Sequence, residues 1–145
     1  MNVFQSNFEH RLTEWRDLRK RIKNLEHLDR CVEVDRWWQQ VPLISHHLHP
    51  NDTENWSDPW TLLSENTYCT LTRAIGICYT LLLSGETDVD LVVATDLNCE
   101  EHYLVLVGGV KTILNYWPNT VISNKLEDFS VVKTLSIDSL KQKIK

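Results

Sequence analysis

A thiol, an imidazole and a carboxamide follow one another along the chain at Cys69, His102 and Asn115. A cysteine attacks a carbonyl carbon as the thiolate, so it needs a base or an ion-pair partner, and an imidazole supplies either. The imidazole in turn needs a third group to hold its ring, and an asparagine side-chain oxygen does this without adding charge. The chemistry open to such a set is cleavage or transfer of an amide through a thioester.

Position strengthens two of the three assignments. Asn66 and Thr67 are good N-cap residues, and an apolar face of Leu71, Ala74, Ile75, Cys78, Tyr79 and Leu82 follows at spacings of three and four. The pattern predicts a central helix from about residue 67 to Leu83, stopped at Ser84-Gly85, with Cys69 in its first turn. The partial positive charge there favours a thiolate. Further on, Gly108-Gly109 reads as a two-residue hairpin turn between strands His102–Val107 and Val110–Tyr116. That register sets His102 directly opposite Asn115, on one face. Leu104, Leu106 and Ile113 fill the rest of this face, which is expected to pack on the central helix. The geometry then brings Cys69 Sγ within about 4–5 Å of a His102 ring nitrogen. Asp96 is the alternative orienting group if the strands are arranged otherwise. The competing reading makes Cys69 a small buried hydrophobe, and His102 and Asn115 a polar pair at a solvated sheet edge.

The surrounding elements form an α+β order, helices first and an antiparallel sheet of three to five strands after. Val89–Thr95 and Ser130–Leu135 read as further strands, and 136–145 as a short helix. Numbered from Met1, the heptad a sites are Met1, Phe8, Trp15, Ile22 and Asp29, and the d sites are Phe4, Arg11, Leu18, Leu25 and Val32. Eight of the ten are apolar and no Pro or Gly interrupts, which predicts one long helix over residues 1–35 and on to Trp38. At 1.5 Å per residue, such a helix spans about 50 Å and overhangs a body about 30 Å across. Phe4, Phe8, Trp15 and Leu18 are therefore expected to contact a partner chain or a second copy; the alternative is that the stripe packs on the chain's own core. The organisation is a single domain, with residues 1–41 as a helical arm and 42–145 as the α+β core.

The lead-in Trp56-Ser57-Asp58-Pro59-Trp60-Thr61-Leu62-Leu63, then Tyr68-Cys69, then His102-Tyr103-Leu104-Val105-Leu106-Val107, then Ile113-Leu114-Asn115 resembles the transglutaminase-like branch of the papain-like cysteine enzymes, bacterial transglutaminase-like cysteine peptidases in particular. The resemblance covers roughly residues 56–117. It implies Cys69 as nucleophile, His102 as base and Asn115 as orienting residue. The chain departs from the family at the cysteine: Asn66-Thr67-Tyr68 stand where the pattern has Gly-Asp, and Thr70-Leu71 where it has Glu-Asp. Those acidic residues bind calcium in some relatives, so calcium is not carried over, and Tyr68 crowds the thiol. Asn115 stands where the branch more often has Asp. A domain with this degraded motif has a second reading, as a catalytically silent structural or docking protein. Such a role suits a component of a large assembly such as a bacteriophage particle, with contacts through the N-terminal helix and the Trp-rich loop.

Composition narrows the classes. The chain has 145 residues, 42% hydrophobic and 24% charged, which suits one folded domain rather than a disordered or fibrous chain. The net charge of −5, from 15 basic and 20 acidic residues, argues against binding nucleic acid through its phosphates. The basic run Arg16–Lys23 lies within the heptad pattern among acidic neighbours. No apolar run approaches the ~18 residues that cross a bilayer, and no basic-then-apolar stretch marks a signal peptide. The expected location is the cytoplasm or a viral particle, with the four cysteines as free thiols. His46, His47 and His49 are adjacent enough to bind zinc but lack a cysteine pair or acidic residue at ligand spacing, so no metal is expected. With four glycines and no Gly-rich phosphate loop, no cofactor is expected either.

Overall fold

The computed structural model describes residues 2–44, 52–108, 112–117, 120–123 and 126–144. His46, His47 and His49 lie outside them. Helices α1 (Phe8–Ile22), α2 (His27–Trp38), α3 (Pro59–Glu65) and α4 (Thr70–Leu83) precede strands β1 (Val89–Thr95), β2 (Glu101–Val107), β3 (Thr112–Trp117), β4 (Thr120–Ser123) and β5 (Ser130–Leu135), with α5 (Ile137–Gln142) last. The strands form one antiparallel sheet in the order β4-β3-β2-β1-β5, so the chain is α+β as its sequence predicts.

The expected long N-terminal helix is two helices and a preceding 3-10 turn, Val3–Gln5. Asn2 and Asn7 divide the first part: each accepts a backbone N–H from the turn it opens, Phe4 and His10 respectively, both at 2.9 Å. The second break comes after Ile22. There the Arg30 guanidinium folds back, donating from Nε to the Ile22 carbonyl at 3.2 Å and from Nη2 to the Leu25 carbonyl at 3.0 Å. It thus satisfies carbonyls that a helix end leaves without partners. Glu86, on the turn after α4, fixes Arg30 through Nη1 at 2.5 Å.

These breaks remove the overhang. Phe4, Trp15 and Leu18 are buried in the chain's own core at 3%, 0% and 0% exposure, and Phe8 packs half-buried against it. Phe4, Trp15 and Leu18 are therefore not carried on an overhanging helix, contrary to expectation: the apolar stripe doubles back instead of running on. The stripe's polar member, Arg11, is buried too. It donates from Nε to the Leu63 carbonyl at 2.8 Å and from Nη2 to the Ser64 carbonyl at 3.3 Å, capping α3 from outside.

Helix α4 begins later than the sequence suggests. Asn66 terminates α3 in the left-handed region at φ 55° and is not available to cap α4. Cys69 is the N-cap, its own N–H donating to Thr72 Oγ1 at 2.7 Å. Every residue of α4 from Arg73 to Leu81 is buried, as a central helix requires. Gly76 faces the Trp38 ring so closely that a Cβ would lie 2.6 Å from two ring carbons. Gly76→Ala would raise helix propensity by about 1 kcal/mol. The indole, at 0% exposure, has no room to retreat. A net loss of about 1–3 kcal/mol in urea unfolding is therefore expected.

Candidate functional site

The N-terminus of α4 lies over the inner face of the sheet, where Val89, Leu91, Val93, Val105, Val107 and Leu114 join the helices in one core. The outer face carries a separate cluster of Val92, Ala94, Leu104, Leu106 and Ile113, with Tyr116, Ile122 and Phe129 packed on it. Leu104, Leu106 and Ile113 thus face away from the central helix, contrary to expectation. Strand β2 is apolar on both faces, so alternation alone does not say which face turns inward.

The hairpin register differs as well. Val107 pairs with Thr112, Leu106 with Ile113 and Val105 with Leu114, two residues away from the pairing that a Gly108-Gly109 turn would impose. His102 pairs instead with Ala94 of β1 and shares its outer face. There its ring lies 4.9 Å from that of Tyr116 and 6.2 Å from that of Phe129, and Nε2 is 2.9 Å from Asp96 Oδ2. Asp96 is the alternative orienting group that the sequence offers. Its other oxygen accepts the backbone N–H groups of Asn98 and Glu100 at 2.8 and 3.0 Å, which aims Oδ2 at the ring. The hydrogen bond with His102 holds the Asp96 carboxyl below its usual range.

Asn115 goes the other way. Regular alternation would leave it on the outer face beside Leu104. It sits instead in the left-handed region at φ 69°, between Ile113 and Trp117, where the β3–β4 pairing shifts register. Its side chain turns inward: Nδ2 donates to the Thr70 carbonyl at 3.1 Å and to the Tyr103 carbonyl at 2.7 Å, and Oδ1 accepts Arg73 Nε at 2.6 Å. Its backbone N–H donates to Asp35 Oδ1 at 2.9 Å.

The structure therefore brings Cys69 and Asn115 to the start of α4 and leaves His102 across the sheet. Cys69 is 7% exposed, and its sulfur accepts from Thr72 Oγ1 at 3.6 Å. The helix-facing residue of β2 at this level is Tyr103, whose phenol is raised by burial, by Glu101 and by proximity to Cys69. A phenol so raised takes no proton from a thiol at neutral pH. The predicted Cys69–His102–Asn115 contact is not formed.

Two further groupings appear. The ligand atoms of Asp96, Glu100 and His102 lie within 4.8 Å of one another, a spacing that a metal ion could span, although the His102–Asp96 hydrogen bond accounts for the pair without one. His27 places Nε2 4.0 Å from Cys31 Sγ and Nδ1 3.8 Å from Glu86, a nucleophile–base–acid order between α2 and the turn after α4. The four-residue spacing of His27 and Cys31 on a helix was the available sequence signal. Cys31 is fully buried, and burial with the nearby Glu86 pushes its thiol up to about 12, so it stays protonated and unreactive.

The chain matches no protein-family model and no curated protein. It does resemble solved structures of Legionella pneumophila LapG. The calcium-bound form superposes with a TM-score of 0.74 at 15% identity, over 94% of this chain and 84% of that one. The EGTA-treated form gives 0.71 at 16% identity, over 90% and 74%. At this identity the likeness shows the fold alone, a LapG-like α+β core.

Proposed function

We propose that this chain is a transglutaminase-like domain without thiol chemistry, retained as a structural or protein-binding unit. One observation carries the reading: β2 presents Tyr103, not His102, to the start of α4, and His102 is engaged by Asp96 on the opposite face. Among the described residues no base lies beside Cys69, which at 7% exposure also lacks the access that acyl transfer needs. Asn115 is equally committed, since all its amide atoms are spent on Thr70, Tyr103 and Arg73. A calcium site of the kind the family suggests does not fit. The residues flanking Cys69 are Tyr68, Thr70 and Leu71, and Asn66 donates its amide to the Phe4 carbonyl. For the binding role, exposed Leu43, Ile44 and Trp60 on the Trp-rich segment support contact with another protein, in place of the buried residues of α1.

Thiol labelling tests the reading. With iodoacetamide at neutral pH, exposed Cys99 should react first, Cys69 slowly, and fully buried Cys31 and Cys78 last. His102→Ala should leave the Cys69 rate within about twofold, because nothing links the ring to the sulfur. If Cys69 reacts fastest and slows by about tenfold or more in His102→Ala, an imidazole-activated thiol exists and the proposal fails.

A further inference from the structure

The acid that receives the Asn115 backbone N–H has a feature unrelated to thiol chemistry. Asp35, on α2, is fully buried between α2, α4 and β3. Its Oδ1 accepts twice, from Asn115 N–H at 2.9 Å and from Gln39 Nε2 at 3.3 Å. Among the described residues its Oδ2 has no hydrogen-bond partner, and neither has Gln39 Oε1 one turn further along the helix. Two buried acceptors thus stand unpaired on two side chains already joined by one hydrogen bond. Such orphans are costly. A single proton on Oδ2 serves both, because a carboxylic acid and a carboxamide form a closed ring of two hydrogen bonds: amide N–H to Oδ1, and acid O–H to the amide oxygen.

We infer that Asp35 is carried in the folded protein as a neutral carboxylic acid closed on the Gln39 amide, a pH-sensitive latch that ties the end of α2 to Asn115 of β3. The proton comes from solvent and is returned on unfolding. The charged and titratable groups acting here agree with this. From α4, Arg73 is the nearby cation, but its Nε bonds the Asn115 oxygen, not Asp35. From α2, the Cys31 thiol is neutral. From β3 comes the uncharged Asn115 amide. Burial raises the Asp35 carboxyl more than Arg73 and the two hydrogen bonds lower it.

The pH dependence has a definite sign. A folded-state value above the unfolded one, about 3.9, gives stability that is fully present below that value and is lost as pH rises through the raised native one. The experiment compares urea unfolding of the full chain and Asp35→Asn from about pH 4 to 8, with carbon-13 NMR of the Asp35 carboxyl. The asparagine keeps the Oδ1 acceptor and supplies the missing donor. The wild-type folding constant, relative to Asp35→Asn, should fall by up to tenfold per pH unit from about pH 4 upward until the native value is passed. Asp35→Asn should be the more stable protein at neutral pH. The carboxyl resonance should be that of an acid at about pH 5 and should titrate lower in Gln39→Met. An ionised carboxyl at about pH 5 overturns the latch, and so does an Asp35→Asn variant that is less stable throughout; either result makes Asp35 a buried anion served by Arg73 or by water. If Asp35→Asn does not fold, the wild-type resonance alone decides.

Discussion

Thr80→Val should destabilise this fold by roughly 2–6 kcal/mol, an unusually large effect for the loss of one hydroxyl. Thr80 is fully buried in α4, and its Oγ1 accepts the indole N–H of both Trp15 and Trp38 at 2.9 Å while donating to the Gly76 carbonyl at 2.8 Å. A hydroxyl has two acceptor positions and one donor, so all its capacity is in use. Valine matches the shape and removes every bond. Two indole N–H groups, each on a ring at 0% exposure, are then stranded, at roughly 1–3 kcal/mol apiece. Because the rings come from α1 and α2, one atom on α4 joins the three helices, and the loss should appear as a single cooperative transition at lower urea. Thr80→Ser, which keeps the oxygen, should recover most of it. A cost below about 1 kcal/mol for the valine would mean that the indoles find other acceptors.

The second large effect is expected from the substitution that would place an acid at position 115. Asn115→Asp should cost roughly 2–4 kcal/mol and confer no thiol reactivity. The Asn115 amide nitrogen donates to two carbonyls, those of Thr70 and Tyr103. A carboxylate has no proton for either and would point an oxygen at both. It would also add a second acid beside buried Asp35. The stronger pairing with Arg73 offsets only part of this. Thermal unfolding and Cys69 labelling, read together, separate the alternatives. A stable Asn115→Asp with faster labelling of Cys69 would mean that position 115 serves an imidazole. A destabilised, unreactive variant would confirm it as a structural tie between α4, β2 and β3.

The elements themselves were largely legible in the sequence because their causes are local. The β-branched run of β1, the strand at Ser130–Leu135, the end of α4 at Ser84-Gly85 and the existence of the β2–β3 hairpin all arise from patterns within a few residues. The break after Ile22 was not legible, since Arg30 and Glu86 make it, and Glu86 arrives from beyond α4. Nor was the short fourth strand, whose four residues carry no periodicity to read.

The site divides along the same line. Sequence by itself determined that a cysteine would open the central helix and that His102 and Asn115 would lie on neighbouring strands. Which side of the sheet each would occupy was a tertiary decision. In β2 both Tyr103-Val105-Val107 and Leu104-Leu106 are apolar enough to be buried, so either set could have met the helices. The choice is made by long-range contacts: α4 packing on the inner set, the pairing of Val105, Leu106 and Val107 with Leu114, Ile113 and Thr112, and Asp35 and Arg73 holding Asn115 in a left-handed turn. A strand's side chains alternate with period two, so one such local inversion carries Asn115 inward while His102 stays outside.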